Sequence, residues 1–101
     1  MAKKRYRYFA EKWYSIYEVM KMSIKDAVVL RFRHLCMERL ITWNELATRS
    51  GVTPSTVYSM LDPRRRELSV VTVKKLCDGL DISISDFFDD EIFRSLEQEI
   101  Q

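Results

Sequence analysis

The sequence predicts an all-α fold, and three observations predict it. The chain has 101 residues with only two Gly and two Pro. Its apolar residues recur every three or four positions, and hydroxyl-then-acid pairs stand at the points where helices would begin. So few breakers leave little room for the turn-dense connections of a β-sandwich or barrel. The length sets one domain. A hydrophobic content of 47% with 32% charged residues is that of a globular chain rather than a disordered one.

The starts come first. Ser23-Ile-Lys-Asp26, Thr42-Trp-Asn-Glu45 and Ser83-Ile-Ser-Asp86 each place a hydroxyl three residues before an acid. The hydroxyl can accept from a free backbone N–H, while the acid faces the positive end of the helix. Only the middle one is a full Ser/Thr-x-x-Glu box. Thr53-Pro54 is a further start, with Pro where its missing N–H costs nothing.

These signals predict a helix from about Asp26 to Leu40 with Val28, Phe32, Leu35 and Cys36 inward. A short one follows from Trp43 to Arg49, with Leu46 and Ala47 inward. After the turn Ser50-Gly51-Val52 comes a third, Pro54 to about Leu61, burying Val57, Met60 and Leu61. Asp62-Pro63 stops it. A fourth runs from about Val70 to Leu80, burying Val73, Leu76, Cys77 and Leu80, and a short fifth from Ile84 to Phe88. Beyond it, Phe88, Ile92, Leu96 and Ile100 at spacing four predict an amphipathic helical tail. At the other end, Tyr6, Phe9, Trp13, Ile16 and Met20 predict an extra N-terminal helix. The chain thus divides into a basic aromatic extension (1–22), a central domain (23–88) and an acidic tail (89–101).

No segment approaches the roughly 20 apolar residues that span a bilayer, and Glu11 and Lys12 interrupt the stretch where a signal peptide needs its apolar centre. Cys36 and Cys77, with a single His in the chain, exclude a disulfide framework and a zinc-finger spacing; two buried thiols in a cytoplasmic protein are expected. The formal charge is +2, unevenly spread. Residues 1–25 carry seven Lys/Arg against two acids, residues 26–88 nine against eight, and residues 89–101 one against five. A basic front with an acidic tail suggests a polyanion approached from one side. Catalysis is not expected: His34 has no nucleophile in register, and there is no Gly-rich phosphate loop, metal cluster or nucleophile elbow. No cofactor is expected either.

The informative segment is Thr42 to Asp62. Ala47, at a close helix crossing, and Gly51, where the turn requires a positive φ, let two short helices meet steeply. Thr42-Trp-Asn-Glu-Leu-Ala47, Ser50-Gly-Val-Thr-Pro-Ser-Thr-Val57, Thr72-Val-Lys-Lys-Leu-Cys-Asp-Gly-Leu80 and Ile82-Ser-Ile-Ser-Asp-Phe-Phe88 resemble, in order, the Cro-and-phage-repressor-like helix-turn-helix family. This is also called the xenobiotic-response-element family of bacterial regulators. The resemblance covers about Asp26 to Phe88. It implies a five-helix lambda-repressor-like domain whose third helix lies in the DNA major groove and presents its outward residues to base edges. Those are Pro54, Ser55, Tyr58 and Ser59. Thr53 and Thr56, with Trp43 and Asn44 at the start of the second helix, would hold phosphates. Arg64, Arg65 and Arg66 follow where the family's loop runs along the DNA backbone, and look like phosphate clamps; the run also reads as a solvated loop cluster.

Two departures stand out. Pro54 occupies a position where many members have a polar reader, which thins direct readout and shifts weight to DNA shape. Cys36 and Leu61 occupy the positions of an Arg–Glu pair found in several phage members, implying an apolar contact instead.

For the extension three readings stand: a helix packed on the domain or a dimer partner, a basic arm in which Lys3, Lys4, Arg5 and Arg7 track phosphates, or a segment that is disordered or an artefact of an upstream start with Met22 the natural one. The expected function is a cytoplasmic, double-stranded-DNA-binding transcriptional regulator, a repressor acting as a homodimer, without a small-molecule effector. The alternative is an antitoxin-like protein-interaction module on the same fold.

Overall fold

The helices begin where local capping lets them. In the computed structural model, which describes residues 6–9, 12–15 and 21–100, Ser23 accepts from the Asp26 N–H and opens α1 (Ile24–Arg39). Thr42 and Glu45 form the full capping box of α2 (Trp43–Ser50), each side chain accepting from the other's N–H at 3.1 Å. Thr53, with Pro54 at the first position, opens α3 (Pro54–Leu61). Ser83 opens α5 (Ile84–Phe88). Two caps that the sequence pattern does not single out complete the set: Ser69 for α4 (Val70–Gly79) and Asp90 for α6 (Glu91–Arg94).

The predicted inner faces are the core. Val28, Phe32, Leu35, Cys36, Leu46, Ala47, Val57, Met60, Val73, Leu76, Cys77, Leu80 and Phe87 form one buried cluster. Phe87 stacks on Phe32 with ring centroids 4.4 Å apart, so the inner aromatic of α5 is Phe87 rather than the half-buried Phe88. Cys36 sits in this cluster and the half-buried Leu61 packs against it, an apolar environment for both. Burial pushes both thiols, Cys36 and Cys77, up to about 11. Ala27, Leu30 and Ile92 make a second, smaller cluster joining α1 to α6.

α1 ties the domain together through cations that donate to the ends of other helices. Lys25, almost fully buried, donates from Nζ to the Asp62 carbonyl at 2.9 Å, just past α3. Arg31 donates to the Phe87 carbonyl at 2.8 Å and the Asp86 carbonyl at 3.1 Å, and pairs with Asp90 at 3.2 Å. Arg39 donates to the Leu80 carbonyl beyond α4. Each places positive charge where a helix ends in free carbonyls.

α2 and α4 meet at Gly79. A Cβ there would overlap Ser50 Oγ and lie 3.0 Å from the Ser50 Cα and Cβ. Gly51, at φ 69°, is the left-handed cap of α2, as the turn requires. Leu40 ends α1 in the same conformation, φ 56°, with its side chain 90% exposed.

Both flanks differ from expectation. The N-terminal helix over Tyr6–Met20 is overturned: Tyr6–Phe9 (β1) pairs antiparallel with Lys12–Ser15 (β2), Tyr6 opposite Ser15 and Phe9 opposite Lys12. Each segment is rich in aromatic residues, which favour extended backbone. The remainder of the expected helix, and the basic arm at Lys3, Lys4 and Arg5, lie outside the described residues. The tail is helical only over the single turn of α6; Ile92 is buried and Leu96 packs on the second cluster, but Ile100 is exposed. Glu97 and Glu99 would stand at the negative end of a longer helix, which opposes extension. Glu99 instead accepts from the Ile24 N–H at 2.9 Å, at the start of α1.

Candidate nucleic-acid interface

α2, the Ser50-Gly51-Val52 turn and α3 set the geometry. The turn closes through Gly51 N–H to the Thr48 carbonyl at 3.3 Å and Val52 N–H to the Ala47 carbonyl at 3.1 Å. Val57 and Met60 bury the inner face of α3. Its outward face leaves Pro54, Ser55 and Tyr58 exposed, Tyr58 by 52%, with Ser59 and Thr56 half-buried.

The hydroxyls at the start of α3 form a small network. Thr53 Oγ1 lies 2.9 Å from both Ser55 Oγ and Thr56 Oγ1, and also accepts from the Thr56 N–H at 3.3 Å. Thr53 therefore acts first as the helix cap. Ser55, being exposed, keeps hydrogen-bonding capacity for an outside group.

Trp43, Asn44 and Tyr58 come together. They line a hollow of about 450 Å³ between the end of α1, the start of α2 and α3. Arg33 of α1 lines it too, and sequence reasoning missed that residue. It lies upstream of the helix-turn-helix segment, and only the packing of three helices brings it there.

The arginine run does not act as one cluster. Arg64 is held by Asp62, its Nε and terminal nitrogen donating to the carboxylate at 3.1 and 3.0 Å, although its side chain remains 88% exposed. Asp62 also accepts from the Arg64 backbone N–H at 3.0 Å. The guanidinium hydrogen bonds hold the Asp62 carboxyl below its ordinary value of 3.8 and raise that of Arg64. Arg65 lies instead beside Thr56 and Ser59 of α3. Arg66 lies toward the start of α1, near Ser23 and the tail residues Glu97 and Glu99.

Two short helices crossed at a glycine turn, the second with an open outward face, are the arrangement the sequence resemblance implied. Residues 31–91, more than half of the chain, match the Cro/C1-type HTH DNA-binding domain. The chain belongs to this Cro/C1-type helix-turn-helix family. The match takes in α2 to α5 entire and begins within α1. A crystal structure of the prophage Lp1 protein 11 is similar at 31% identity and a TM-score of 0.65, covering 70% of this chain and 93% of that one. Among curated proteins none matches. The Cro/C1-type domain thus accounts for the five-helix lambda-repressor-like fold, and DNA is the partner that its family implies. No helix among the described residues is long and apolar enough to cross a membrane.

Proposed function

We propose that the protein is a sequence-reading transcriptional regulator of the cytoplasm, a repressor that occupies double-stranded DNA as a homodimer with α3 in the major groove. The observation that carries this reading is the exposed face of α3, Pro54, Ser55 and Tyr58, on a helix whose other face is locked into the core. A helix held so firmly presents its side chains to base edges with little loss of freedom on binding. Ser55 and Ser59 can donate or accept and so read flexibly; Pro54 adds shape without a hydrogen bond. Trp43, Asn44 and Thr56 with Arg64, Arg65 and Arg66 supply the backbone contacts that set register.

The experiment is selection of bound fragments from a random duplex pool at near-physiological salt. A two-fold-symmetric motif, with half-sites roughly 34 Å apart, is the expected result. No enrichment by folded protein would overturn the reading. An antitoxin-like interaction module then takes its place. One observation favours it: Val70 and Val71, at the start of α4, are 75% and 59% exposed, with Ile24 exposed by 44%.

A further inference from the structure

α3 runs between two hollows, and each is lined by an arginine. On one side Tyr58 lines the 450 Å³ hollow with Arg33, Trp43 and Asn44. On the other, Thr56 and Ser59 line a hollow of about 230 Å³ with Arg65, Glu67 and Thr72. The major groove that would receive α3 is about 12 Å wide and bordered on each side by one phosphate strand.

The first hollow has the chemistry of an anion site. Among the described residues, Arg33 is the one charged side chain lining it. The arginine, the Trp43 indole, the Asn44 amide and the Tyr58 hydroxyl are all capable of donating a hydrogen bond. The acid nearest in sequence on α2, Glu45, is turned back into the capping box. The second hollow is less favourable, because Glu67 lines it beside Arg65.

We infer that Arg33 and Arg65 hold backbone phosphodiesters on the two opposite strands that border the groove, Arg33 being a positioning residue the helix-turn-helix segment does not contain. This rests on the DNA-binding reading above. The two arginines act as rails that centre α3 between the strands. The Arg33 rail is the stronger, because no carboxylate of the described residues shares its hollow.

The test measures binding to the selected duplex as a function of salt for the wild type, Arg33→Gln, Arg33→Lys, Arg65→Gln and the double Gln variant. Both arginines are exposed, so the variants keep the fold, checked by circular dichroism. Each subunit of the homodimer carries one Arg33 and one Arg65, so a single Gln variant removes two phosphate contacts from the complex and lowers the slope of log K against log salt by about 1.8, and the double variant lowers it by about 3.6. A fourfold rise in salt then weakens Arg33→Gln about 12-fold less than the wild type. Arg33→Lys keeps the slope. Replacing single phosphates by neutral methylphosphonates locates the rails: within one half-site, Arg33→Gln becomes insensitive to substitution at a phosphate of one strand, and Arg65→Gln at a phosphate of the other, with the strands exchanged in the second half-site. An unchanged slope in Arg33→Gln, with the wild type binding normally, overturns the role of Arg33. Insensitivity of both variants on the same strand within one half-site overturns the rails. A wild type that binds no duplex removes the DNA reading and this inference together.

Discussion

Replacing Gly79 by Ala tests the claim that α2 and α4 meet at that glycine. In an exposed helix the change would stabilise by about 1 kcal/mol, since Ala has the better helix propensity. Here the new methyl would overlap Ser50 Oγ and sit 3.0 Å from the Ser50 Cα and Cβ. The hydroxyl can rotate away, but the Cα is backbone, so the two helices must part. Overpacking of this kind costs about 1–3 kcal/mol, and subtracting the propensity gain leaves a net destabilisation of about 0–2 kcal/mol. In a domain this small each kcal/mol lowers Tm by about 4–8 °C. Urea unfolding followed by circular dichroism measures it directly. Ser50→Gly removes the Oγ and Cβ from the contact, so the pair Gly79→Ala with Ser50→Gly should show favourable coupling in a double-mutant cycle. A Gly79→Ala protein more stable than the wild type by the full propensity gain of about 1 kcal/mol would refute the close approach.

Leu40→Gly should stabilise by about 0.5–1 kcal/mol in the same assay, because Leu40 holds a left-handed φ of 56° with its side chain in solvent. Ser55→Ala with Ser59→Ala should change which duplexes a selection recovers, by about 1–3 kcal/mol for each good hydrogen bond to a base edge that is removed, while leaving the salt slope alone. Asp62, held below 3.8 by Arg64, stabilises the fold above that value and ceases to do so as pH falls through its lower folded value. Urea midpoints of Asp62→Asn should therefore fall less steeply than those of the wild type between about pH 4 and pH 2. Cys36 and Cys77, buried and pushed up to about 11, should resist iodoacetamide near pH 8 in native protein and react once urea unfolds it, as mass spectrometry will show.

What was legible in the sequence was what short-range chemistry decides. Thr53 before Pro54 and Asp62 before Pro63 bracket α3, and both signals act within a residue or two. The Thr42–Glu45 box is equally local. The strand pair was hidden because Tyr6, Phe9 and Trp13 also fit helical spacing, and Ala10-Glu11 between the strands lacks the Asn-Gly or Gly-Gly of a hairpin turn. The tail stripe misled because spacing ignores end effects: Asp90 caps a new helix and the acids at 97 and 99 disfavour its continuation. In the candidate site, Trp43, Asn44 and Tyr58 were found by motif and do converge. Arg33 was not found, since its place there depends on how α1 crosses α2 and α3. Arg64 was grouped with its neighbours, though an acid two residues earlier already engages it.

The cations of α1 also bear on when the domain can close. Lys25 waits for a carbonyl 37 residues later, Arg39 for one 41 residues later, Arg31 for two that follow by 55 and 56, and the Ile24 amide for a carboxylate 75 residues on. During synthesis α1 leaves the ribosome before any of these partners exists. Its lysine and arginines then stay hydrated, and its apolar stripe has nothing to close against. The partners that tie α1 to α3, α4 and α5 therefore become available only late, in the order in which the carboxyl ends of those helices emerge, and the Phe87 carbonyl comes before the Glu99 carboxylate.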